Sequence, residues 1–270
     1  MLKQRVVTAL LLLPIVFGSI LLLPTDLFSM LWAAVMSVAA HEWLKLSGVQ
    51  KSISLLFGIV VLNILFVSVW FYPFHAIAAE WFVLVAWLLV IISFFFNPVV
   101  RLQRCGSACY SIIGVVVGFV VIFPTWLAMV LLHENSPWLV LHVFGIVWVA
   151  DTGAYFSGRR FGKRKLAPTI SPGKSWEGVW GAIIAVAIYS TCVSIWALEN
   201  EQHGLFILIC IISAIASVAG DLFESVFKRA SDVKDSGHLL PGHGGAMDRL
   251  DSITAAAPVF AAIYYLAGWL

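Results

Sequence analysis

Residues 221–251 carry the densest polar chemistry in the chain. Asp221, Glu224, Ser225 and Lys228 recur at i, i+3, i+4 and i+7, the spacing that lines side chains along one face of a helix. Arg229, Lys234 and Asp235 follow, then Pro241-Gly242-His243-Gly244-Gly245, then Asp248 and Asp251 on either side of Arg249. Six carboxylates and four bases thus fall within 31 residues of a very apolar chain. Hard cations take carboxylate oxygens together with substrate phosphates, and Lys and Arg neutralise the remaining phosphate charge. Carboxylates from two elements meeting beside glycines and bases make a Mg²⁺ and phosphate site. Asp221, Asp248 and Asp251 are the metal candidates. Lys228, Arg229 and Arg249 are the charge-stabilising ones, and a solvated mixed-charge loop is the bland alternative.

A second polar run spans 151–177. Ser171-Pro-Gly-Lys-Ser ends in Lys174 and Ser175, a combination suited to cradling phosphate through backbone and side chain. It is not a P-loop, because Pro168 stands where that motif needs its first glycine. The bases from Arg159 to Lys165 are explained well enough as a positive anchor against anionic lipid. Asp151 lies where the preceding apolar segment is still at membrane depth, a costly place for a carboxylate and so either functional or paired. His41-Glu42-Trp43 is no zinc-protease motif, since Lys45 occupies the second His position; these residues mark the end of an apolar segment. Cys105 and Cys109 have no accompanying Cys or His pair, which leaves neither a metal site nor a disulfide framework.

The elements that must position these groups are membrane helices. Hydrophobic residues make up 61% of the 270 and charged ones only 11%, against about 25% in a typical soluble domain. Apolar runs long enough for a bilayer occur at Val6–Leu23, Leu27–Trp43, Ile53–Tyr72, Trp81–Phe96, Ile112–Leu132, Trp138–Phe156, Gly178–Leu198, Leu205–Phe223 and Ile253–Leu270. The first follows a basic N-terminus but lacks a small-residue cleavage site, so it reads as a retained helix. Every one of the 16 Lys and Arg falls in alternate connections, while the others carry Asp26, Glu80, Glu134, Glu199 and Glu201. The positive-inside rule then puts the N-terminus in the cytoplasm and the C-terminus outside. The expectation is an all-α integral membrane protein of about nine transmembrane helices. Residues 1–135 form a structural, lipid-facing region; residues 136–270 form a catalytic region with cytoplasmic loops 157–177 and 228–250. Gly114 and Gly118 allow close helix contact, within the chain or at a homodimer seam.

The second-half motifs resemble the phosphatidate cytidylyltransferase (CDP-diacylglycerol synthase) family. Its signature stands here as Ser225, Lys228-Arg229, Lys234-Asp235, His243-Gly244-Gly245, Asp248-Arg249 and Asp251, and the Asp151 to Ser175 segment resembles the family's other polar stretch. Ala246 departs from the larger aliphatic residue usual there. The resemblance implies transfer of a cytidylyl group from CTP to phosphatidate, giving CDP-diacylglycerol and pyrophosphate, with Mg²⁺. It implies substrate contacts from Ser171, Lys174, Ser175, Ser225, Lys234, His243, Gly244 and Gly245. It also implies a site facing the cytoplasm from a bacterial inner membrane, and no nucleic-acid partner. Two rivals stay open: a CTP-dependent polyprenol or dolichol kinase, and a transporter of anionic substrates. The latter would call for interrupted helices near the midplane and two related halves, whereas the halves here differ strongly.

Overall fold

The structure, a computed structural model, describes residues 2–269 apart from Gln50, Lys51, 72–75, 95–97, 198–201, His238 and 240–243. The order is α1 (Leu2–Leu22), α2 (Thr25–Leu46), α3 (Ser52–Phe71), α4 (Ala76–Ser93), α5 (Pro98–Arg104), α6 (Ser107–Asn135), α7 (Pro137–Phe161), β1 (Lys165–Ala167), β2 (Ser171–Ser175), α8 (Trp176–Ala197), α9 (His203–Ala230), α10 (Met247–Leu250) and α11 (Ile253–Leu266). A helix lies over each apolar segment expected from the sequence. Among the described residues, α2, α6, α7, α8 and α9 are long and apolar enough to cross a membrane, and a sixth span results if the bent α4–α5 pair is counted as one. Leu22, Leu56, Ile64, Ile112, Ile184 and Ile195 are all more than half exposed, an outward apolar surface that suits lipid and not water.

Helix packing explains several sequence features. Trp43 of α2 is fully buried, 4.6 Å from the Phe227 ring and 5.9 Å from Phe223, both on α9. Its indole N–H donates to the Gly114 carbonyl of α6 at 2.8 Å. A Cβ on Gly114 would run into Ser47, and one on Gly118 into the Trp43 ring. The Gly114/Gly118 face is therefore used inside the chain, so it does not supply a homodimer seam. One turn beyond, the Tyr110 hydroxyl meets the Leu46 carbonyl at 2.9 Å and the Ser231 hydroxyl at 2.7 Å, tying the ends of α2, α6 and α9 together.

In the second half, α7 and α8 pack glycine against glycine. A Cβ on Gly153 would strike the Gly181 backbone, and one on Gly178 would lie 3.1 Å from the Ala154 carbonyl. Such small-residue contacts bring helix backbones together in lipid. On α9, a Cβ on Gly220 would meet the Asp251 carbonyl, so the approach to α11 crosses α9 at that glycine.

The segment after α7 differs from the loop expected. α7 continues to Phe161, and β1 and β2 then form a small antiparallel hairpin in register Lys165↔Ser175 and Ala167↔Ser171. The hairpin is anchored where Ile170 buries against Leu222 and Val226 of α9. Strands of three and five residues give no alternating pattern long enough to read from the sequence.

Candidate active site

An open cavity of about 580 Å³ lies where the ends of α7, β2, α8, α9 and the 231–252 segment meet. Lys174, Ser175, Asp221, Lys228, Asp248, Arg249 and Asp251 all line it, joined by Asp151, Tyr155 and Asp235. The two polar runs, far apart in sequence, are thus one site.

Helix α9 places the first set. Asp221 and Ser225 are one turn apart, and the Ser225 hydroxyl donates to Asp221 Oδ1 at 3.4 Å. The next turn holds Glu224 and Lys228, whose ammonium is 2.7 Å from Glu224 Oε2 and 2.9 Å from Asp248 Oδ1. Glu224 is 1% exposed, and among the described residues its Oε1 has no hydrogen-bond partner. Burial alone would raise the Asp248 carboxyl. The Lys228 ammonium and the Gly245 and Ser236 backbone N–H groups, at 2.8 and 2.9 Å from Oδ2, outweigh it and hold the carboxyl below its usual range.

The hairpin places the second set. Lys174 on β2 reaches Asp221 Oδ2 at 2.7 Å, so Asp221 pairs across to the other polar run and not with Lys228 or Arg229 on its own helix. Ser175 turns its hydroxyl to the N–H of Gly178 at 3.2 Å, which caps the first turn of α8. Glu177 accepts the N–H groups of Lys163 (3.1 Å) and Arg164 (3.2 Å), tying the basic segment to the same helix start. Asp151 on α7 is within electrostatic reach of Asp221, Lys174 and Arg249. The Asp251 carboxyl is pushed well above its usual range, first by burial and then by the charges of Asp221 and Glu224.

Other expected residues stand back from the cavity. Arg229 donates from Nε to the Ile170 carbonyl at 3.2 Å and from Nη1 to the Val233 carbonyl at 3.3 Å, stapling the hairpin to the end of α9. Lys234 is exposed, and neither it nor Ser171 lines the cavity. Gly244, at φ +87°, and Gly245 pass behind Asp248; a Cβ on Gly244 would press on its carboxylate. His243 lies outside the described residues. Asp151 was weighed in the sequence without a role, Glu224 was seen only as part of a helical face, and Tyr155 gave no signal.

A magnesium ion was expected here. Among the described residues no three His, Cys, Asp or Glu side chains converge to hold a metal by themselves. That agrees with how magnesium binds, through one or two carboxylates plus phosphate oxygens and water. The buried, unpartnered Glu224 Oε1 and the mutual repulsion of Asp221, Glu224 and Asp251 describe a region short of positive charge. The donor set therefore fits a hard cation arriving with a polyphosphate.

A membrane-helix protein whose helix ends enclose carboxylates, lysines and an arginine in one cavity is built for chemistry between polyanions. The comparison with known proteins is specific. The chain belongs to the cytidylyltransferase family, whose model matches residues 3–267. It is 41% identical over 281 residues to the phosphatidate cytidylyltransferase of Pseudomonas aeruginosa, covering 100% of this chain and 99% of that one. It is 37% identical to the enzyme of the same name from Haemophilus influenzae, covering 98% and 99%. The Rickettsia typhi enzyme of that name is 41% identical over 167 residues, covering 58% of this chain and 73% of its own.

Proposed function

We infer that the protein transfers a cytidylyl group from CTP to phosphatidate, releasing pyrophosphate and forming CDP-diacylglycerol. The near-full-length likeness to phosphatidate cytidylyltransferases carries this reading, and the cavity agrees with it. In the reaction, a phosphatidate phosphate oxygen forms a bond to the α-phosphorus of CTP as the bond to the β-phosphate oxygen breaks. The attacking phosphate monoester has a second pKa near 6, so it is already largely ionised and needs no general base.

The residues then have to overcome repulsion between two polyanions. Lys174 and Arg249 face the cavity and provide positive charge for phosphate oxygens. The Lys174–Asp221 pair is partly exposed, with side chains 24% and 31% accessible, so an incoming phosphate can compete for the lysine. Lys228 and Asp248 hold each other in place at the cavity's inner edge. Asp221, Asp248 and Asp251 are the carboxylates that would hold magnesium; Asp248 Oδ2 is filled by two backbone donors, while Oδ1 accepts from Lys228. When bound, the ion would offset phosphate charge and stabilise departing pyrophosphate.

A membrane substrate and a soluble nucleotide must meet at the interface. The placement of all 16 Lys and Arg supports about nine spans, with the N-terminus and the cavity on the cytoplasmic side of a bacterial inner membrane. Tyr155, Trp176 and Trp180 are exposed on α7 and α8 beside the cavity, where amphipathic aromatics suit the headgroup region. A reporter fused after Leu270 should then lie outside the cytoplasm and one fused within 157–174 inside; the same side for both would break the span count. Purified protein given labelled CTP, phosphatidate and Mg²⁺ should release pyrophosphate and CDP-diacylglycerol. Release of CDP with a phosphorylated lipid alcohol would reassign the chain as a lipid kinase.

A further inference from the structure

The first half of the chain has so far served as packing, yet one of its side chains reaches the catalytic segment. Glu42, near the end of α2, is 6% exposed. Its Oε2 accepts the Ser236 hydroxyl at 3.0 Å and the Met247 backbone N–H at 2.9 Å. These two contacts lie at either end of the segment that leads from α9 back to Asp248. The Ser236 hydroxyl also accepts the Asp248 N–H at 3.3 Å, and the Ser236 N–H donates to Asp248 Oδ2 at 2.9 Å. A Cβ on either Gly237 or Gly245 would collide with the Glu42 carboxylate, so the chain closes around it from both sides.

We propose that Glu42 is a positioning residue for the transfer reaction: it clasps residues 236 and 247 together, so that Asp248 and its partner Lys228 stand at the edge of the cavity. The proposal rests on the function inferred above. The path is continuous from Glu42 to Ser236, Asp248, Lys228 and Glu224, each step a hydrogen bond of 3.3 Å or less. Among the described residues no base forms an ion pair with Glu42. What the clasp needs is an acceptor oxygen at this reach, held between two glycines; both contacts to Glu42 are accepted bonds, and an amide oxygen can accept the same two. Length therefore matters more than charge, which separates this role from a catalytic carboxylate or a metal ligand.

The test uses the full-length protein purified from membranes, with Glu42→Gln, Glu42→Asp and Glu42→Ala. Phe28→Ala, on the same helix and far from the cavity, serves as a control for general loss of packing. Glu42→Gln should keep kcat within about threefold, since about 1.4 kcal/mol would be needed for a tenfold change. Glu42→Asp keeps the charge but is one methylene short, and should lose tenfold or more in kcat, as should Glu42→Ala. Limited trypsin digestion gives a readout independent of any reaction. Cleavage at the exposed Lys234 should quicken in the Asp and Ala variants and stay at the wild-type rate in the Gln variant and in Phe28→Ala. Activity in the order Asp above Gln would overturn the proposal, as would unchanged trypsin sensitivity in both Asp and Ala variants. If the wild-type protein forms no CDP-diacylglycerol, the functional reading fails while the digestion still decides whether Glu42 clasps the segment. Should Glu42→Ala not insert, the Gln and Asp pair alone decides the matter.

Discussion

Two lysines face the same cavity and live in opposite surroundings. Lys228 is 8% exposed and lies between Glu224 and Asp248, which are themselves held by helix packing and backbone donors. Lys174 sits on a hairpin, a quarter of its side chain exposed, with Asp221 as its ion-pair partner. A buried lysine shared by two carboxylates cannot leave without stranding charge. A partly exposed pair contributes little and is easily exchanged. One end of the cavity is thus fixed framework, and the other can trade a carboxylate partner for a phosphate.

The largest effect should come from breaking the framework end. Lys228→Met leaves Glu224 and Asp248 close together and uncompensated, and should cost about 3–5 kcal/mol of stability. Thermal unfolding in detergent would measure it, and a variant as stable as wild type would mean the buried pair is no framework. Asp221→Asn comes next. It keeps the shape, frees Lys174 and removes a carboxylate assigned to magnesium, so turnover should vanish while the protein still inserts and melts near its normal temperature. Near-normal activity of a folded Asp221→Asn protein at ordinary Mg²⁺ would remove that residue from the chemistry. Lys174→Ala should weaken CTP use by more than tenfold, about 1.4 kcal/mol or more, yet change stability by less than about 1 kcal/mol. Arg164→Ala should be the mildest. Its backbone N–H makes the hydrogen bond to Glu177 and survives the substitution, so steady-state kinetics should stay close to wild type. Equal small losses for Lys174→Ala and Arg164→Ala would make both mere surface charge.

What could be read from the sequence follows how local each interaction is. The Asp221/Ser225 and Glu224/Lys228 contacts are four residues apart on one helix, and the spacing announced them. The helices themselves were equally plain, since each apolar run must satisfy its own backbone in lipid. The pairings that join distant segments were hidden: Lys174 with Asp221, Lys228 with Asp248, and Glu42 with Met247 depend on which helix ends meet. Arg229 shows the opposite error. It follows Lys228 directly, but one step along a helix turns a side chain by roughly 100°, so it faces the hairpin and not the cavity. Glu42 looked like an end marker because nothing within reach along the chain explains a buried carboxylate there. The hairpin β1–β2 went unread because its strands are short and Ile170 draws its burial from α9.

Gly220 shows what the carboxylate cluster demands of its neighbours. The residue beside Asp221 has no side chain, and the Asp251 carbonyl occupies the space a methyl group would fill. The close approach of the two aspartates therefore depends on a missing carbon at a residue that does not line the cavity. A redesign that altered every charged group in the cavity could leave that spacing intact, whereas alanine at 220 would push α11 off α9 and carry Asp251 with it. A position with no functional group at all thus constrains the cavity's carboxylates.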